Sequence, residues 1–412
     1  MSEQDRKLLL ELMEAGINGV YGRTRVRDTL WDSDLPANVD IVSIGKAASA
    51  MTVGALEALG SRAQRALVIT RPGYHETYPD TSVKIVILEA AHPLPDESSI
   101  EAGYRLIRFI EESDESTRIV FLVSGGASSL VEVLPSGVTL ADLRRANRWL
   151  LGSGFSVRQV NALRRRLSCI KGGRLCSYMG DREIEVLLIS DVPGDDVMDI
   201  GSGLTVRASD PPLPTNIPDW LYRMLERAED ENPPFKGHCN ARRISIVARN
   251  RDAVDAVLRA AREKEQPAWS YYEPLEGEAE IIGRRCAEFL IDAELGVHVW
   301  GGETVVKLPD KPGRGGRNQS LALSAATVIK GLDNILLLAV GTDGSDGPGD
   351  DAGALVDGGT VERGSDCGMT PKDALTGADA GTFLAASRDL INTGPTGTNV
   401  MDLIIGLKCS TS

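Results

Sequence analysis

A chain of 412 residues is longer than a single hydrophobic core usually grows, so two domains, or one large domain with a satellite, are expected. Apolar residues make up 42% and charged residues 25%, and no stretch reaches the ~18 consecutive apolar residues that span a bilayer, which excludes a membrane-spanning class and leaves a globular, soluble one. The net charge of −14 opposes a sequence-independent hold on nucleic acid or on an anionic membrane surface, so anionic small molecules would need a local cationic cleft.

In chain order, Leu8, Leu9, Leu12, Ile17 and Val20 lie at helical spacing among charges, which predicts an amphipathic helix rather than a signal peptide and hence a cytoplasmic protein. Short, apolar, β-branched runs follow: VDIVSI (39–44), ALVIT (66–70), VKIVIL (83–88), RIVFLVS (118–124) and IEVLLIS (184–190). Each precedes a turn and a helical pattern, the rhythm of a parallel sheet. Proline and charge then displace the periodicity in PPLPTNIPDW after Asp210 and in EDENPPFKG (229–237), which predicts a boundary near residue 240, between domains 1–240 and 241–412. The α/β rhythm resumes with ISIVA (244–248), helices over about 252–263 and 277–292, GVHVWGG (296–302) and NILLLAV (334–340). The six cysteines form no CxxC pair, which predicts reduced, structural thiols, and the four histidines are too few for a multi-histidine metal site.

In open α/β sheets ligands bind beyond the carboxyl ends of the strands, so the glycine-rich strand exits carry the candidate chemistry. At the first exit, Gly45 allows a tight turn and Lys46 enters at the start of a helix. The second holds Ser124, Gly125, Gly126, Ser128 and Ser129, small residues that let a phosphate reach backbone N–H groups at a helix start. The third places Asp191, Asp195, Asp196 and Asp199 just past a strand, suited to magnesium or a general base, with turn chemistry as the alternative. Upstream, Arg164, Arg165, Arg166, Lys171 and Arg174 cluster in an otherwise acidic chain, and helical spacing lets only one or two of them reach any one site. Farther on come a Gly301-Gly302-Glu303 exit and a loop with Arg314 and Arg317 before a helix, where Arg317 offers a planar fork for carboxylate or phosphate. Asp343, Asp346, Asp350 and Asp351 follow another strand, and the loop GPTGTNV (394–400) is expected to run into a C-terminal helix.

These stretches resemble the type II glycerate 2-kinases, whose C-terminal portion is the MOFRL domain. The resemblance runs nearly end to end, through GKAA (45–48), HPLPDESS (92–99), SGGASS (124–129), LSCIKGGRL (167–175), SDVPGDD (190–196), SGLT (202–205), GGET (301–304), GGRNQ (315–319), GTDGSDGP (341–348) and GPTGTNV (394–400). It implies a Rossmann-like N-terminal domain, a smaller α/β C-terminal domain, an active site in the cleft between them, and ATP and Mg2+ for phosphorylating D-glycerate at its 2-hydroxyl. Lys46 and Arg317 match residues that the family treats as active-site residues. With Asp191 they form the expected catalytic set. The nucleotide is expected at Gly45, the SGGASS loop and Gly301, Gly302 and Glu303, and the substrate at Lys171, Arg174, Asn318, Thr396 and Asn399. The metal is expected at Asp195, Asp196 and Asp343. No nucleic-acid or membrane partner is expected, and a homodimer is compatible with the sequence.

Four departures stand out: Ala127 where the family has a third glycine, Ser320 where it has Glu, Met401 where it has Asn, and TRPGYHE (70–76) in place of a simpler Gly-His. They leave a related small hydroxy acid as an alternative substrate. Hydroxypyruvate reduction is a further alternative, against which no strand-bound GxGxxG appears and GSGFSV (152–157) carries valine at the third glycine position.

Overall fold

The computed structural model describes residues 2–207, 212–214, 216–231 and 239–410. Much of the two polar stretches expected at the boundary, 208–211 and 232–238, lies outside the described residues. The chain divides into two compact units, residues 22–248 and residues 1–21 with 249–412. This division differs from the expected one at both ends. The run ISIVA belongs to a strand of the first sheet, and the N-terminal helix Glu3–Asn18 packs with the second unit.

The unit 22–248 is built on strands β1 (Val39–Ile44), β2 (Ala63–Thr70), β3 (Lys84–Glu89), β4 (Arg118–Val123), β5 (Ile184–Ile189) and β6 (Ala241–Ala248). Their order is β3-β2-β1-β4-β5-β6 and every pairing is parallel, the doubly wound Rossmann arrangement. Period-two alternation explains the layering: Val42, Ile44, Phe121, Val123, Val186 and Leu188 share one apolar cluster with Leu106, Phe109 and Ile110 of the helix Glu97–Glu111. The helix Ala48–Leu59, buried over most of its length, packs on β1 and β2. Helices Leu140–Leu151, Val157–Arg166 and Asp219–Glu231 enclose a separate cluster around Leu163, Leu167 and Leu221. Cys176 and Cys239 are joined in a disulfide, which corrects the expectation that all thiols are reduced: the fold sets their Cα atoms 5.1 Å apart, a proximity that a sequence separation of 63 conceals.

The other unit holds β7 (Ala268–Glu278), β8 (Gly296–Val305), β9 (Ile335–Gly341), β10 (Gly353–Asp357), β11 (Leu390–Ile391) and β12 (Asp402–Lys408), ordered β11-β10-β9-β12-β8-β7. Only β7 and β8 pair in parallel; the others are antiparallel. Both faces are covered, again by alternation. Leu337, Ala339 and Ile404 face helices Ala279–Asp292, Arg317–Val328 and Ala380–Ser387, whereas Leu336, Leu338, Val340, Leu403 and Ile405 face helices Glu3–Asn18 and Asn250–Glu263. The expected C-terminal helix is a strand: DLIIGLK pairs with both β8 and β9, and a seven-residue segment is too short to choose helix by itself. No helix of the described residues is long and apolar enough to cross a membrane.

Candidate active site

Strand order in the first sheet reverses at β1: the chain moves outward through β2 and β3, then returns to place β4 on the other side of β1. The carboxyl ends of β1 and β4 therefore flank a topological switch point, where such sheets bind ligands. The two glycine-rich loops leave from there and are stitched together. Lys46 N–H donates to Gly125 O (2.9 Å), and Ala47 N–H donates to Ser124 Oγ (3.1 Å). Gly45 has φ 132°, and a Cβ there would lie 2.1 Å from Ser124 Oγ, so only glycine lets the loops close on each other. Among the described residues the N–H groups of Gly125 and Gly126 donate to none of the loop's hydrogen bonds, although Gly125 is buried. A buried N–H donor without a partner is rare, and the one on Gly125 sits in a loop packed on a lysine. Gly126 (φ 87°) packs against His92 and Lys46, whose Cδ2 and Cγ lie 3.1 and 3.4 Å from its ideal Cβ position. The helix expected after this loop is a single turn, Ala127–Leu130. Ser129 Oγ donates to Pro93 O (2.7 Å), which follows a cis His92–Pro93 bond.

Asp191, Asp195 and Asp196 lie part-exposed on the loop after β5, at the same carboxyl edge of the sheet. Asp196 accepts the N–H of Met198 (2.9 Å), which is the turn role, and Asp195 adopts φ 55°. Asp199 belongs to a buried network instead. It accepts from Asn161 Nδ2 and Arg165 Nη1 (both 3.2 Å), while Ser202 Oγ reaches Asn161 Oδ1 (3.2 Å) and Ser128 Oγ (2.7 Å). The network thus anchors Ser128 of the phosphate-type loop. Two residues expected to meet substrate have structural partners. Lys171 is buried in an ion pair with Glu132, and burial pulls its pKa below the usual lysine value despite that pair. Arg174 Nη1 donates to the carbonyls of Arg165 (3.0 Å) and Lys171 (3.2 Å), holding the segment in place.

In the other unit Arg317 opens the helix Arg317–Val328. Its Nε and Nη2 donate to the two oxygens of Asp402 (2.7 and 3.0 Å), and Nη1 lies 2.7 Å from Glu303. Burial disfavours the charged guanidinium, but Asp402 and Glu303 outweigh it and hold its pKa above the ordinary arginine value. Asp346 caps the same helix, accepting the N–H groups of Asn318 (3.0 Å) and Gln319 (2.8 Å). Desolvation overrides those bonds and, with Asp402 adding to it, pushes the Asp346 carboxyl up to about 7. Asn318 Nδ2 donates to Asp402 (2.9 Å), leaving its own Oδ1 buried without a hydrogen-bond partner; the same holds for Gln319 Oε1 and Thr398 Oγ1.

The remaining expected residues have the following local settings. Gly301 and Gly302 are not a strand exit but lie within β8, opposite Leu403 and Asp402 of β12. A Cβ on Gly301 would meet Asn250 Oδ1 at 1.7 Å and one on Gly302 the Leu275 backbone at 2.4 Å, so close packing accounts for both glycines. Glu303 forms an ion pair with Arg317. Thr396 Oγ1 donates to Thr342 O (2.5 Å), Asn399 is buried, and Asp343 accepts from Ser345 N–H (2.9 Å) in a turn. Among the described residues no group of three or more His, Cys, Asp or Glu side chains is arranged to hold a metal ion. Sequence reasoning passed over His92, Asn161, Ser202 and Asp402 as site residues, and Asp346 was one of several equivalent acids.

A Rossmann-ordered sheet with a lysine and unpaired glycine N–H groups at its switch point, in a chain whose second unit carries a carboxylate-anchored arginine, defines a nucleotide- or phosphate-handling α/β protein. Two family descriptions match the chain: a domain of unknown function, DUF4147, over residues 8–219, and the MOFRL family over residues 296–402. The chain is 35% identical to the D-glycerate 2-kinase of Thermotoga maritima, across 98% of this chain and 99% of that one. It is 36% identical to an Agrobacterium vitis protein provisionally named hydroxypyruvate reductase, across 88% and 97%. The crystal structure of the Thermotoga maritima glycerate kinase superposes with a TM-score of 0.83 at 33% identity, covering 99% of this chain and all of that one. The chain belongs to the glycerate kinase family with a C-terminal MOFRL domain.

Proposed function

We propose that this protein is a glycerate 2-kinase, transferring a phosphoryl group from magnesium-bound ATP to the 2-hydroxyl of D-glycerate in the cytoplasm. The observation that carries the phosphoryl-transfer reading is the switch-point arrangement, in which Lys46 stands beside the unpaired N–H groups of Gly125 and Gly126. Phosphoryl transfer asks a protein mainly for positioned positive charge and N–H donors around phosphate oxygens, and this loop pair offers both. The glycerate part rests on the family and on the activity named for the Thermotoga maritima relative.

In this reading Lys46 and the SGGASS loop hold nucleotide phosphates, and Ser128 is kept in place by Ser202 and Asn161. Asp191 orients or deprotonates the attacking hydroxyl. Magnesium that arrives with a nucleotide needs only one or two protein carboxylates, and Asp195 and Asp196 fit that need better than Asp343, which is buried in its own turn. Arg317 meets the anionic end of the acid.

The Rossmann order and the Agrobacterium vitis relative also raise hydroxypyruvate reduction. The exit of β1 reads Gly45-Lys46-Ala47-Ala48, with a lysine side chain and a single glycine where a dinucleotide fingerprint has glycines. ADP release with glycerate, set against NADH oxidation with hydroxypyruvate, separates the two; only the first is expected.

A further inference from the structure

The geometry points to Asp402 as a positioning residue that aims Arg317 and Asn318 together at a hydroxy acid, the arginine taking its carboxylate and the Asn318 carbonyl oxygen accepting from its hydroxyl. The inference rests on the kinase reading and adds to it the recognition of the acid. Asp402 is 1% exposed and holds Arg317 through both carboxylate oxygens, whereas the Arg317 contact to Glu303 joins groups that are each about one-third exposed (34% and 36%). The buried fork fixes the plane of the guanidinium. Asp402 takes two of its five N–H bonds and Glu303 pairs with Nη1, which leaves N–H groups for a ligand.

The same carboxylate dictates how the Asn318 amide is turned. Its Nδ2 faces Asp402 Oδ1 at 2.9 Å and Asp346 Oδ1 at 3.5 Å. Turning the amide over would set its oxygen against two carboxylate oxygens, so the nitrogen belongs on that side and Oδ1 on the other. That oxygen is buried, in a residue with no exposed surface, and has no hydrogen-bond partner. Only a donor satisfies it, and among small carboxylates a hydroxy acid brings one. A site built to hydrogen-bond a hydroxyl rejects the analogue lacking it far more strongly than an apolar pocket rejects an extra methylene.

Competition assays with the full chain test this, measuring the inhibition constants of three-carbon carboxylates with and without a hydroxyl, alongside kcat and KM for glycerate. The wild type is expected to favour hydroxylated acids by ~10-fold or more. D402N is expected to lose most of that preference and to raise KM for glycerate while leaving KM for ATP unchanged. N318A, a substitution suited to a helix, supplies the same ratio where D402N fails to fold. An unchanged hydroxyl preference in either folded variant would overturn the inference while leaving the kinase reading intact. A wild type that phosphorylates no hydroxy acid would instead overturn that reading.

Discussion

Lys46 packs its Cγ against Gly126, next to two glycine N–H groups that lack loop partners, so in the kinase reading its charge serves phosphate oxygens. Lys46→Ala should lower kcat by ~10²-fold or more with an unchanged circular dichroism spectrum. Retention of more than about a tenth of wild-type turnover would rule out a transition-state role for that charge. Asp346 makes a different prediction. Its folded pKa of about 7 lies above its ordinary value near 4, so between those values the folded chain holds a proton that the unfolded chain has lost. Its contribution to stability therefore declines as pH rises from about 4 to 7 and is level above. Asp346→Asn should remove that decline, and melting curves of wild type and variant that stay parallel across the window would contradict it. The Lys171–Glu132 pair is buried on both sides, so Glu132→Gln should cost ~3–5 kcal/mol in denaturant unfolding by stranding the ammonium. Local spacing reveals a lysine after a strand and a Gly-Gly turn, which is why Lys46 and the SGGASS loop were legible. It does not reveal that Asp402 grips an arginine 85 positions earlier, or that Lys171 meets Glu132 in the core.

Helix Ala279–Asp292 crosses helix Arg317–Val328 through Gly283, where an added Cβ would meet Leu321 O at 2.1 Å. Alanine raises helix propensity by ~1 kcal/mol, but overpacking a helix crossing costs ~1–3 kcal/mol and should win. Gly283→Ala is thus expected to lower the urea midpoint and, by shifting the helix that begins at Arg317, to raise KM for the acid; an increased midpoint would contradict the close crossing. Four of the five N-terminal strands were readable because parallel strands buried on both faces appear as continuous β-branched runs, and the fifth, the half-exposed edge strand β3, by its short β-branched run alone. The second sheet was harder. Its antiparallel directions come from pairings such as Ile404 with Trp300 and Ala339, which no local pattern encodes. Without them DLIIGLK was taken for helix and GGET for a strand exit, although both lie in strands.

At the scale of the whole chain, the unit 22–248 carries its own sheet, core and disulfide, and β6 completes that sheet beyond residue 240. A 22–248 fragment should therefore unfold cooperatively by itself. A fragment ending at residue 240 lacks β6, leaves β5 as a bare apolar edge and should aggregate. Equal solubility of the two would count against this division. Chain length suggests two units, but the return of the N-terminal helix to the second one depends on Leu9, Leu12 and Ile17 packing on Val254 and Val257, a match made only in the folded chain.

Incubating the intact protein with ATP, magnesium and a panel of three- and four-carbon hydroxy acids, followed by ³¹P NMR, tests phosphoryl transfer to a small hydroxy acid most directly. The expected result is a new phosphomonoester resonance assigned to the 2-position of glycerate, with ADP released in equal amount. Nucleotide left intact with every acid, or NADH consumed with hydroxypyruvate instead, would contradict it.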